Sequence, residues 1–220
     1  MSKLNVQAMI LGNKTKPKER NKEKSKEKLI EAVGEILKEK GYGGLKVNDI
    51  AATAGLDKKL IYNYFGGVEQ LLDEYLKSQY FWSNVNEDEL IEMVKDGGKE
   101  VSKHLLAAQY DFVEKNKEFQ RLLLWQLSEE REEFQKIVSK QEITGEHLFE
   151  AISDKYFGEK ATDYRALMAI LISGAYYLNL FAEHNGRFFC GIDLKSEEGR
   201  QQIKKVMGDL IDHAYDKVEK

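Results

Sequence analysis

Residues 47–65 read Val47-Asn48-Asp49-Ile50-Ala51-Ala52-Thr53-Ala54-Gly55-Leu56-Asp57-Lys58-Lys59-Leu60-Ile61-Tyr62-Asn63-Tyr64-Phe65. Val47, Ile50, Ala51 and Ala54 recur at helical intervals and form the packing face of a short helix at about 47–54. Ala51 is small where a second helix must cross closely, and Gly55 can take the left-handed turn conformation. Asp57 stands where its carboxylate can accept from the backbone N–H groups opening a second helix at about 57–63, an N-cap worth about 1 kcal/mol. Leu56, Leu60, Ile61 and Phe65 are expected to pack inward. Two short helices joined by a glycine turn make a helix-turn-helix, whose second helix lies in the major groove of DNA. The outer face and the end of that helix are left with Lys58, Lys59, Tyr62, Asn63 and Tyr64. These cations, bidentate amide and phenols suit phosphates and base edges.

The charge distribution around this stretch is uneven. The 220-residue chain has a net charge of −4, yet residues 1–66 hold 14 basic and 8 acidic side chains, net +6, which leaves −10 for the rest. Such a split suggests that one end only meets nucleic acid or another acidic surface. Residues 1–24 read as a basic, flexible arm, with Lys14, Lys16, Lys18, Arg20, Lys22 and Lys24. The arm is open to two readings, a solvated tail or a source of extra minor-groove or phosphate contacts.

Outward from the motif the pattern is helical throughout. Leu29, Ile30, Val33, Ile36 and Leu37 give an amphipathic helix at about 25–40 that stops at Gly41. Val68, Leu71, Leu72, Tyr75 and Leu76 share one face of a fourth helix. Further on, Val101, Leu105, Ala108 and Phe112 form one stripe, and Phe119, Leu122 and Leu123 belong to a second helical segment. A third stripe joins Phe134, Ile137, Val138, Leu148, Phe149 and Ile152. Sustained alternation with turn dipeptides is absent, so no strand is expected and the fold class is all-α. One proline and a 42% hydrophobic content exclude collagen-like and proline-rich chains. Domain boundaries are expected at 1–24 (arm), 25–70 (helix-turn-helix domain) and 71–220 (helical body).

The last two helices differ from the others. Residues 163–184 are apolar on nearly every side, which calls for burial on two faces. Residues 200–218 place Ile203, Val206, Met207, Leu210, Ile211, Ala214 and Val218 on one long stripe. Pairing with the same helices of a second copy would bury both as a four-helix interface, while the plainer alternative turns both stripes into the chain's own core. The uncharged run Ala166–Ala182 falls short of the ~20 residues a bilayer requires and reads as a buried helix. Ala8–Leu11 is too short for a secretory signal, and the single Cys190 fits a reducing compartment. A cytoplasmic protein without a membrane partner is expected.

Ile50-Ala51, Ala54-Gly55-Leu56, Ile61-Tyr62-Asn63-Tyr64-Phe65-Gly66 and Glu69-Gln70-Leu71-Leu72 together resemble the DNA-binding domain of tetracycline-repressor-like (TetR family) transcriptional regulators, over about residues 25–76. The resemblance implies a homodimeric repressor, with a three-helix head, a fourth helix linking head to body, and a helical body that binds an inducer and dimerises through its last two helices. Carried over by position, Lys58, Lys59, Tyr62 and Asn63 approach bases or phosphates, Tyr64 touches phosphate, and Lys46 and Asn48 complete the expected DNA-contacting set. Four positions depart from the family pattern. Lys46 replaces a capping Thr or Ser, Leu60 a common Thr, Lys59 a small residue, and Val68 a lysine that pairs with phosphate.

For the inducer, the polar and aromatic residues that interrupt apolar stripes are His104, Tyr110, Trp125, Gln141, Tyr176 and Tyr177. Each is also explicable as core packing with a satisfied polar atom. As a set they point to an uncharged or aromatic small molecule. His104, His147, His184 and His213 form no His-x₃-His pair, Cys190 has no cysteine neighbour, and no phosphate-cradling glycine loop is present. Glu129-Glu130-Arg131-Glu132-Glu133 reads as a solvated face. No catalytic residue, metal or cofactor is therefore expected. The partners expected are duplex operator DNA, a second copy and an inducer. The alternatives are a regulator of the same fold without inducer response, one that activates, or a non-catalytic helical interaction protein.

Overall fold

Helix α1 spans Pro17–Lys40, beginning about two turns earlier than the apolar pattern alone suggests. Proline is suited to a first helical position. The following turns alternate Lys and Glu at spacings that let ion pairs support a helix without an apolar face; Lys26 meets Glu23 at 3.4 Å. The computed structural model describes residues 17–80, 90, 94, 96–128 and 132–218. Lys14 and Lys16 of the expected arm lie outside them, as do the side chains of Phe134 and Ile137 and residues 129–131 of the acidic run.

The chain divides into two compact units, within residues 1–84 and 85–220. In the first, α1 packs on α2 (Val47–Ala54) and α4 (Val68–Gln79), while α3 (Lys59–Phe65) packs on α4. A 3₁₀ turn at Tyr42–Gly44 leads from α1 to α2. The core is the meeting of the apolar stripes: Leu29, Val33 and Ile36 of α1, Ile50 of α2, Ile61 of α3, and Leu71, Leu72 and Leu76 of α4 are all buried. Helix α4 lies within the N-terminal unit.

The second unit comprises α5 (Lys99–Lys115), α6 (Lys117–Ser128), α7 (Glu132–Leu148), a π-turn at Phe149–Ser153 running into α8 (Asp154–Phe157), α9 (Ala161–His184) and α10 (Glu197–Asp216). Helix α5 is central and packs on both α9 and α10. Its start is tightly fitted. Asp96 accepts from the backbone N–H of Gly98 and of Glu100, each at 3.1 Å, and a Cβ on Gly98, at φ +91°, would stand 2.2 Å from Ile152 Cγ2. The core gathers Leu106 and Tyr110 of α5, Phe157 of α8, Tyr164, Met168, Leu171 and Ala175 of α9, and Met207, Ile211 and Tyr215 of α10. Phe157 stacks on Tyr164 at 4.1 Å between centroids, and Tyr215 closes on both edgewise.

Three expectations are corrected here. Helix α5 buries Leu106, Gln109, Tyr110 and Val113, not the stripe of Val101, Leu105, Ala108 and Phe112; Ala108 and His104 are exposed. Adjacent apolar pairs, Leu105-Leu106 and Phe112-Val113, allow two stripes about 100° apart. The inward one brings Gln109 and Tyr110 to partners on α9 and α10. Secondly, the stripe of α10 splits. Met207 and Ile211 are buried, Val206 and Leu210 are exposed, and Ile203, Ala214 and Val218 are half-buried. Thirdly, a two-stranded hairpin, β1 (Phe188–Phe189) paired antiparallel with β2 (Ile192–Asp193), joins α9 to α10. Its turn, Cys190-Gly191, has positive φ at both residues. Strands of two residues leave no alternation to read, and Cys-Gly is not a usual turn signal.

Candidate nucleic-acid interface

The local chemistry of residues 46–67 builds a helix pair with one exposed face. Helix α2 ends at Gly55, whose φ of 64° and ψ of 35° are left-handed. The N–H groups of Gly55 and Leu56 then bond back to Ala52 O and Ala51 O at 3.1 and 3.0 Å, so the chain reverses without leaving those carbonyls open. Asp57 caps α3 as expected: its Oδ1 accepts from Lys59 N at 2.8 Å, and its carbonyl accepts from Leu60 N at 3.0 Å. Gly66, at φ 92°, ends α3 after only seven residues.

One residue fixes the rotation of α3. Ile61 is 0% exposed, with Leu56, Leu60, Tyr64 and Phe65 half-buried around it. Lys58, Lys59, Tyr62 and Asn63 are thereby turned outward, Tyr62 at 56% exposure, too high for a large aromatic side chain that served the core. Lys46 and Asn48 are exposed at the start of α2, where Lys46 makes no side-chain cap. Lys22 of α1, which the sequence placed in a basic arm open to two readings, solvated tail or extra DNA contact, lies with its Nζ 5.7 Å from the centroid of the Tyr64 ring. No local pattern signals that approach, because it depends on α1 continuing past the core.

The residues considered for a ligand are distributed differently. Tyr110 is fully buried and its hydroxyl has no hydrogen-bond partner. Burial raises the Tyr110 phenol above its ordinary value, an effect the nearby Arg200 opposes. Tyr176 is half-buried and accepts from Gln109 Nε2 at 2.5 Å; burial pushes its phenol up to about 12, eased by Gln109 and reinforced by the charge of Glu142. Gln141 is half-buried, with an Nε2 enclosed and unpartnered. Trp125 is half-buried, and its carbonyl accepts from Ser128 Oγ.

His104 and Tyr177 are corrections. His104 is exposed, its Nδ1 2.7 Å from Glu100 O on its own helix, because the core stripe of α5 is rotated away from it. Tyr177 is 52% exposed on the opposite side of α9 from Ala175 and packs beside Phe181 and Phe189 at its edge.

A buried polar centre escaped the sequence reading. Arg200 of α10, 5% exposed, lies over the Tyr110 ring at 4.2 Å. It reaches Asp111 at 3.2 Å and Glu114 at 3.1 Å, and donates to Asn179 Oδ1 at 3.0 Å. Asn179 in turn donates to Tyr110 O and Ala175 O. Lys204 adds a bond to Asp111 at 3.0 Å, so α5, α9 and α10 are tied together by charge as well as by apolar packing. Among the described residues, no group of three or more His, Cys, Asp or Glu side chains is placed to hold a metal.

Residues 29–75 match the family of bacterial regulatory proteins of the tetR type. Among solved structures, a transcriptional regulator (TerR/AcrR family) from Aquifex aeolicus VF5 is 22% identical with a TM-score of 0.56, over 86% of this chain and 98% of that one. A Clostridium perfringens protein, named for a proposed role as a fatty acid metabolism regulator, is 19% identical with a TM-score of 0.54, over 86% and 97% of the two chains. These likenesses concern the fold. No curated protein matches the chain. The match lies wholly within the N-terminal unit, from the apolar stripe of α1 into α4, and this segment is similar to the DNA-binding part of tetR-type bacterial regulatory proteins.

Proposed function

We propose that the protein is a cytoplasmic, homodimeric transcriptional repressor that inserts α3 into the DNA major groove and is released by a small-molecule ligand. The observation that carries the DNA reading is the outward display of Lys58, Lys59, Tyr62 and Asn63 on a helix anchored by Ile61, inside the tetR-type segment. Asn63 is suited to bond an adenine edge bidentately, a contact worth about 1–3 kcal/mol of discrimination. Lys46, Asn48, Lys58 and Lys59 supply phosphate contacts, joined by the phenol of Tyr64.

Two faces support the dimer. Helix α9 exposes Ala166, Ala169, Ile170, Ser173 and Tyr177, none of them charged, and α10 exposes Val206 and Leu210. One 18-residue window within the helical run Gln141–His184 is apolar enough to cross a membrane by composition, but the core-facing residues Tyr164, Met168, Leu171 and Ala175 of α9 are already occupied. Covering its other face with a second copy removes that apolar surface from water. The ligand reading is supported by Tyr110 Oη and Gln141 Nε2, buried polar atoms without partners that a bound molecule would satisfy. A ligand that prefers a body conformation unsuited to reading helices about 34–36 Å apart would weaken DNA binding by about 1–3 kcal/mol.

Selection of bound fragments from a random duplex pool tests this function. Enrichment of a two-fold-symmetric site by the wild-type protein, lost in Asn63→Ala, is expected. Failure to enrich any sequence overturns the reading.

A further inference from the structure

Helix α1 has a stripe that changes its chemistry part-way along. Leu29, Val33 and Ile36 cover the core, and the same face continues towards the N-terminus through Lys26 and Lys22, at helical spacings of three and four residues. Where core remains to be covered, apolar residues occupy this face; beyond it, the positions are cationic. Lys22 is exposed, and its Nζ stands 5.7 Å from the ring centroid of Tyr64, at the end of α3. Lys26 is half-buried and held by Glu23.

An exposed cation over a phenol ring is only weakly held, and the ammonium keeps N–H donors for another acceptor. Beside it the Tyr64 hydroxyl is a further donor. Together they form a small cationic, hydrogen-bonding surface to which α1 contributes the cation and the end of the reading helix the phenol. Residues 1–66 as a whole carry net +6. A phosphodiester is the acceptor that this charge and these donors fit.

We propose that Lys22 and Tyr64 jointly hold a backbone phosphate of the duplex, so that α1 extends the DNA contact beyond the helix-turn-helix. This rests on the reading of α3 as the groove-entering helix. The competing account is that Lys22 only stacks on Tyr64 to steady the head.

The test is the salt dependence of binding to a labelled duplex of arbitrary sequence, followed by fluorescence anisotropy between about 50 and 200 mM salt. Lys22→Gln preserves helix propensity and is expected to reduce the slope of log K against log salt by about 0.9 per engaged protomer. Lys22→Arg should keep the wild-type slope, and Tyr64→Phe should weaken binding while leaving the slope nearly intact. If the wild-type protein binds with a salt slope that Lys22→Gln reproduces, the phosphate contact is refuted and the DNA reading survives. If the wild-type protein ignores the duplex throughout that range, both are refuted.

Discussion

Tyr176 shows how a single side chain in the body couples solvent, hydrogen bonding and stability. Its phenol, ordinarily near 10.0, is pushed up to about 12 because burial disfavours the phenolate. A group that holds its proton more tightly when folded stabilises the fold fully below its unfolded pKa, and that contribution disappears as pH rises through the folded one. For Tyr176 the window is therefore pH 10 to about 12. Thermal unfolding of Tyr176→Phe is expected at a lower midpoint than wild type in neutral buffer, because Gln109, 1% exposed, loses the oxygen to which it donates; the cost is about 1–3 kcal/mol. Across the alkaline window the variant's midpoint should fall less steeply than wild type. Parallel declines would show that another group governs the alkaline loss. Arg200 acts at the same scale with opposite chemistry: a buried cation retained because Asp111, Glu114 and Asn179 all meet it.

Helix α3 is too short to be stable alone, and its seven residues depend on what precedes and follows them. Asp57 holds the start and Gly66 frees the end, while Ile61 supplies the buried anchor. Asp57→Ala is expected to lower stability by about 1 kcal/mol in urea denaturation, and Asp57→Asn to restore most of the loss, since an amide oxygen also caps. DNA affinity should fall with the same Ala variant, although Asp57 itself is the wrong charge for a phosphate contact. An Ala variant with the wild-type midpoint would leave the cap without energetic weight. Helix α5 illustrates the limit of reading elements singly. Its residues permit two apolar stripes, and only the fit to α9 and α10 selects the one containing Gln109 and Tyr110.

At the scale of the molecule, the decisive quantity is the apolar surface left open on α9 and α10. Ile170 is 70% exposed, Val206 43% and Leu210 40%, with Tyr177 and Phe188 exposed along the same end of the chain. Isolated exposed apolar residues need no explanation, but a continuous uncharged helix face does. Ile170→Glu combined with Leu210→Glu is expected to weaken self-association about a hundredfold, the scale of ~3 kcal/mol for an uncompensated buried charge. Sedimentation would report a shift from dimer to monomer, with circular dichroism unchanged. A wild-type protein that sediments as a monomer at every concentration would contradict the dimer.

Sequence alone was sufficient for the helical class, the helix-turn-helix, the cap at Asp57, the turn at Gly55 and the outward set Lys58, Lys59, Tyr62 and Asn63. Those features are local, because helical periodicity, capping and turn chemistry act within a few residues. Tertiary structure decided which of two stripes on α5 is buried, why His104 and Tyr177 face outward, and how Arg200 finds two carboxylates some ninety residues earlier in the chain. It also decided that Lys22 meets Tyr64. Each of these depends on the rotation and length of helices packed against one another, and a side chain's partner across such a contact leaves no trace in the spacing of its own neighbours.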